Sequence, residues 1–161
     1  MFHRKPKAHL FGEGFLIFTK KIMLRNFTSI ILGISIGMVI MMLMHYLSML
    51  FYPLPEGVSM SDAEKFNQYL ETAPTGAFIL ALISHAIGAF TSSILSVKIA
   101  CSQEWVSKNI SLSIPIIVGC IFTISGYLNL NGIPHPDWFV VDLLFYFPAA
   151  YFGYKLVKRK D

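Results

Sequence analysis

Three ionisable side chains stand inside long apolar runs of this 161-residue chain: His45, His85 and Asp142. Holding such a group at hydrocarbon depth is costly, which makes all three candidates for a functional site before any fold is known. An imidazole accepts, donates or ligates, and a nearby carboxylate orients it or shares its proton. Neutral imidazole and carboxylate also suit zinc, iron or copper. His45 and His85, with a third ligand from His135 or Asp142, would form such a set. Ligands drawn from four separate segments have no spacing to read, so the sequence assigns neither a metal nor a cofactor. The plainer structural alternative is that each imidazole is satisfied by a backbone carbonyl and a hydroxyl. Asp142, a turn after Trp138, then caps its helix, and His135, between Pro134 and Pro136, is a turn residue.

Other chemistry is poorly represented. The chain has no glycine-rich phosphate loop, no GxSxG, no HExxH and no paired-cysteine spacing. Cys101 and Cys120 are expected as free thiols, and Cys120 has no base near it in sequence. No residue is therefore assigned a catalytic role.

The elements that must position these groups are membrane spans. Hydrophobic residues make up 55% of the chain and charged residues only 14%, against roughly 25% charged in an ordinary soluble domain. The apolar residues fall into long runs with charges at their ends. Four runs are long enough for the roughly 20 residues a spanning helix needs, at about 27–51, 77–100, 110–130 and 138–157. An all-α, four-helix transmembrane bundle is expected.

Charge sets the orientation. Arg4, Lys5, Lys7, Lys20, Lys21 and Arg25 precede the first span, and Lys98 and Lys108 flank the loop between the second and third. Lys158, Arg159 and Lys160 form a basic tail at 158–161. The loop after the first span carries only Lys65, against Glu56, Asp62, Glu64 and Glu71, and the loop after the third has no Lys or Arg. Positive-inside logic places both termini in the cytoplasm. The net charge of +4 lies in these flanks and forms no basic face, so nucleic acid is not an expected partner. Tyr52, Trp105, Trp138 and Phe139 are expected as an interfacial aromatic belt. Residues 1–26 form a basic leader with three open readings: an interfacial segment, a disordered stretch, or a prelude to a start at Met23. In the first outer loop, Ser61 with Glu64 fits a capping box, predicting a short helix from about Asp62 to Thr72. Its Phe66, Tyr69 and Leu70 are spaced to lie on the membrane surface or to cap the bundle.

Helices in lipid associate through small residues and polar bonds. The first span offers Ser29, Gly33 and Gly37; the second Ser84, Gly88, Ser92 and Ser96; the third Gly119 and Gly126; the fourth Ala149 and Gly153. Residues three, four or seven apart share a helix face, so His85 lies beside the stripe of the second span and Asp142 on the line through Tyr146 and Ala149. At about 1.5 Å per residue, His45, His85 and Asp142 lie about 9, 12 and 6 Å inside the outer ends of their spans. Small residues thus gather toward the cytoplasmic side and polar ones toward the outer side. His45, His85, Asn129, His135, Asp142 and Tyr146 form the candidate polar cluster.

The segments PLPEG, APTGAFILALISHAIGAF and NGIPHPDWFVVDLLFYFPAAYFG resemble a widespread family of small bacterial four-helix integral membrane proteins, over about 27–157. The resemblance implies the fold and a bacterial inner membrane, and it implies no activity. Similar sequences often carry an acidic residue a turn before the first-span histidine, where this chain has Met41, and glycines where it has Ser92 and Ser93. They also usually start just before the first span.

The expected role is binding or assembly: an accessory subunit, or a binder of a small or lipid-like ligand in an outer-leaflet polar pocket. Expected partners are the lipid bilayer and a second copy or another membrane protein. A small oligomeric transporter is the alternative, with the two helix pairs sharing a plan in which an outer proline-rich turn follows each first helix. Pro115 lies early in the third span, and Pro148 is expected to kink the fourth. A histidine-liganded metal enzyme is a third reading.

Overall fold

A computed structural model describes the backbone of residues 9–100 and 108–157, and the side chains of 23–100 and 112–157. Cys101, Trp105 and the basic tail at 158–161 lie outside the described residues, as do residues 1–8 of the leader.

Among the described residues the fold is all-α, with five α-helices in chain order: α1 (His9–Ser48), α2 (Ala63–Thr72), α3 (Thr75–Ala100), α4 (Lys108–Gly132) and α5 (Asp142–Val157). Four stretches of the described residues are long and apolar enough to cross a membrane: Met23–Ser48, Thr75–Ala100, Leu112–Gly132 and Asp137–Val157. The chain is thus a multi-pass helical membrane protein. Large apolar side chains such as Leu43, Ile124 and Leu144 face outward, where acyl chains solvate them.

The leader does not end at a break before the first span, because α1 already begins at His9. The span also stops short of the expected Phe51: Met49 to Tyr52 turn back on the carbonyls of residues 45 to 48. Residue 62, not 61, caps α2. Asp62 accepts a hydrogen bond from the Lys65 amide, while the Ser61 hydroxyl pairs with Ser59. A carboxylate one residue nearer the helix takes the first-turn donor that the capping box gave to a serine. The fourth span opens with a 3₁₀ turn, Asp137–Val141, before α5. Pro148 sits inside a continuous α5.

α3 is the centre of the bundle, packing along α1 on one side and α5 on the other, with α4 against α5 and, less extensively, α3. The small-residue stripes explain these pairings. A Cβ added to Gly33 would lie 2.7 Å from the Ser92 carbonyl oxygen, and one added to Gly37 would lie 2.7 Å from that of Gly88. α1 and α3 therefore approach backbone to backbone. Gly153 of α5 faces the Phe90 carbonyl and Ser93 on the other side of α3, and Gly119 and Gly126 of α4 receive the rings of Phe147 and Tyr146. Adjacent serines thus serve different neighbours. Among the described residues the buried hydroxyls of Ser92, Ser93 and Ser96 have no partner, so this seam holds by close steric fit and not by hydrogen bonds from these serines. Ser84 returns its hydroxyl to the Leu80 carbonyl at 2.7 Å. On α5 Ala150 is fully buried, a turn before the buried Gly153, whereas Ala149 is half-buried against the core.

Candidate functional site

At the end of the bundle bearing the 49–74 loop, the helices diverge around a cavity of about 320 Å³. α1 contributes Met42 and His45, three residues apart on one helix face, and Met49 follows in the turn after it. α3 contributes Phe78, Ala81 and His85, and the end of α4 contributes Asn129 and Leu130. Phe66, Tyr69 and Leu70 of α2 close it from above, so that helix caps the bundle. Its apolar residues recur at three and four positions and turn one face inward.

Asp142 lies beneath the cavity. It is the first residue of α5 and only 1% exposed. Its Oδ2 accepts the Tyr146 hydroxyl at 2.6 Å and faces Nδ1 of His85 at 2.8 Å. The Tyr146 oxygen is 3.2 Å from that same Nδ1, so two polar groups converge on one carboxylate oxygen. A carboxylate only accepts, so the proton between the two lies on Nδ1. His85 is thereby fixed in orientation with Nε2 on its far edge. The bland reading of Asp142 as a helix cap does not describe this geometry: Oδ2 serves side chains on α3 and α5, and Oδ1 is buried without a partner. The energetic logic is that of a dry site, where a bonded carboxylate is tolerable and an unbonded one is not.

His45 completes the group. Its ring is 5.2 Å from that of His85, at an interplanar angle of 75°. Among the described residues no side chain or carbonyl bonds its ring nitrogens. Aromatic rings enclose the pair: Phe139 lies 6.4 Å from His85 and Tyr146 stacks on it at 6.0 Å. Phe139 is buried, a wall of the site and not the belt residue expected, whereas Trp138 is exposed. Tyr52 packs its hydroxyl end on Gly76.

The structure brings His45, His85, Asp142 and Tyr146 together and leaves two expected members apart. His135 Nδ1 bonds the Ile133 carbonyl at 2.8 Å, stabilising its own turn. It reaches the site only as part of the cavity rim and through its 6.4 Å contact with Phe139. Asn129 is exposed and lines the cavity wall. Sequence reading missed Met42, Met49 and Phe78, while of its two alternatives for Phe66, Tyr69 and Leu70 the cap is the one seen. The two methionines carry a legible signal, since they stand three residues before and four after His45; Phe78 carries none.

Among the described residues no three His, Cys, Asp or Glu side chains are arranged to hold a metal ion. Asp142 turns to His85 Nδ1 and Tyr146, and His135 turns to a carbonyl, so neither expected third ligand joins the two histidines. Cys120 is a free, exposed thiol away from the cavity. Fold and site together describe a multi-pass helical membrane protein with a largely apolar cavity at one end of its bundle. Comparisons with protein-family models, curated proteins and solved structures found no match.

Proposed function

We propose that this protein binds a small, largely apolar molecule in the cavity capped by α2, in the outer half of a bacterial inner membrane with both termini in the cytoplasm. One observation carries the reading: a cavity of about 320 Å³ walled largely by apolar side chains, with the paired imidazoles of His45 and His85 among its few polar groups. Ligand sites have this composition, an apolar wall with a few placed polar groups, and volumes from about 300 Å³ upward. The Lys and Arg asymmetry of the loops supports the orientation. The resemblance to small bacterial four-helix membrane proteins supports the compartment. Binding, and not chemistry, is the economical reading, because the carboxylate is spent on orienting His85.

Photolabelling tests it. The purified protein in lipid nanodiscs is irradiated with a decyl probe carrying a diazirine. Label is expected on the peptides that hold Met42–Leu54 and Asn129–Phe139. Ala81→Trp, which fills the cavity, removes that label without unfolding the bundle. Label confined to outward residues such as Ile36 and Leu144, unaffected by Ala81→Trp, overturns the reading.

A further inference from the structure

The reading of the cavity as a ligand site leaves open what the ligand's polar end is, and the two histidines bear on that. Among the described residues, no Lys, Arg, Asp or Glu lines the cavity. A charged head group would therefore enter a desolvated space without a counter-charge in its wall, which is strongly unfavourable. Asp142 does not supply one, because it is buried behind His85 and does not reach the lining.

The wall is not indifferent to polarity, however. Nδ1 of His85 is committed to Asp142, so the ring presents its opposite edge, where Nε2 of the neutral imidazole is an acceptor. His45 is not oriented by any carboxylate. In its neutral form one ring nitrogen carries a proton and donates while the other accepts. The two ring centroids stand 5.2 Å apart, near enough that one small polar atom can reach a nitrogen of each ring with ordinary hydrogen bonds of about 2.8–3.0 Å. Such an atom donates to His85 and accepts from His45. A hydroxyl does both. An ether or carboxylate only accepts, and an ammonium only donates.

We propose that the site recognises a neutral amphiphile bearing a hydroxyl group, whose oxygen lies between His45 and His85 and whose chain fills the apolar wall. This deepens the reading of the cavity as a ligand site and rests on it. At about 30 Å³ for a water-sized group, the cavity holds on the order of ten non-hydrogen atoms, the size of a medium-chain alcohol. Asp142 and Tyr146 are positioning residues, since they act only through the orientation of His85.

Competition against the photoreactive decyl probe, in nanodiscs, tests the head group with the chain held constant. The competitors are 1-decanol, decyl methyl ether, decanoate and decylammonium. 1-Decanol is expected to compete about tenfold better than the ether, as one or two net hydrogen bonds allow, and better than either ion. In His85→Phe the alcohol falls to the level of the ether, while the ether is unchanged. Constancy of the ether shows that the cavity survives the substitution. Tyr146→Phe weakens the alcohol less than His85→Phe does and again spares the ether. If the ether matches the alcohol in the unsubstituted protein, the head group is not read and this inference fails, while the cavity remains a ligand site. If decanoate is strongest, the histidines act as cations and the inference fails. If no probe labels the cavity, the functional reading itself fails.

Discussion

Replacing Gly37 with alanine adds one methyl group at the point where α1 crosses α3. That methyl would lie 2.7 Å from the Gly88 carbonyl oxygen and would also overlap the Ser92 hydroxyl. The hydroxyl can rotate, but the carbonyl belongs to helix backbone, so the two helices must part by several tenths of an ångström. Overpacking of this kind costs about 1–3 kcal/mol, and the upper figure applies where backbone must move. Alanine recovers about 1 kcal/mol of helix propensity, which leaves a net loss of about 2 kcal/mol, or about thirtyfold in the folded-to-unfolded ratio. The partner substitution behaves differently. A methyl on Gly88 meets Met41 Cε at 3.0 Å, its Cβ at 3.1 Å and the Gly37 carbonyl oxygen at 3.3 Å; the Cε end yields, and the other two need give only a few tenths of an ångström. Gly88→Ala is thus expected to cost less than Gly37→Ala, and Gly88→Leu much more. Gly132→Ala, with nothing within 4 Å, is the control. Reversible SDS titration in mixed micelles, followed by tryptophan fluorescence, measures all three. Equal stability of Gly37→Ala and Gly88→Ala, or a stabilised Gly37→Ala, would refute the backbone-contact account of this crossing.

Other consequences follow from particular bonds. Tyr146→Phe loses a hydrogen bond to a buried carboxylate and is expected to cost about 2 kcal/mol, and Asp142→Ala, which strands two buried donors, about 3 kcal/mol or more. Their double-mutant cycle should show coupling above about 0.5 kcal/mol; additivity would mean that the hydroxyl does not bond Asp142. Asp62→Ala is expected to speed hydrogen exchange at the Lys65 amide through loss of a cap worth about 1 kcal/mol, whereas Ser61→Ala leaves it unchanged. The reverse pattern would restore the capping box. In a chain with Cys101 and Cys120 replaced by serine, Glu64→Cys should react with an impermeant maleimide added outside intact cells. Reaction only after permeabilisation would invert the topology.

The spans were legible because hydropathy over some twenty residues is a strong signal, and only their ends moved. Met49 to Tyr52 are apolar enough to read as membrane, yet they form turns below the PLPEG segment. The stripes around Gly33, Gly37, Gly88 and Gly153 were legible as packing faces, but their pairing was not. Every stripe has nearly the same period, so nothing in sequence says that Ser92 meets α1 while Ser93 meets α5. The same degeneracy hid the choice of Ala150 over Ala149. At the site, shared faces brought His85 and Asp142 under suspicion, yet the carboxylate's duty depended on the 3₁₀ turn at Asp137–Val141. That turn carries the chain into α5 so that Asp142 opens the helix and points across to α3. His135 looked equivalent to the other histidines by residue type alone, and the carbonyl two residues before it claims its ring.

The central claim is that the bundle encloses a ligand cavity whose polar end is His45 and His85. An experimental structure of the protein taken directly from membranes into lipidic mesophase, with no ligand added, tests it most directly. The account predicts elongated density inside the space bounded by Met42, Phe78, Ala81 and Tyr69, ending within hydrogen-bond distance of both imidazoles, with His85 Nδ1 on Asp142. A bundle whose own side chains fill that space, with the ring of His45 turned out to lipid, would contradict it.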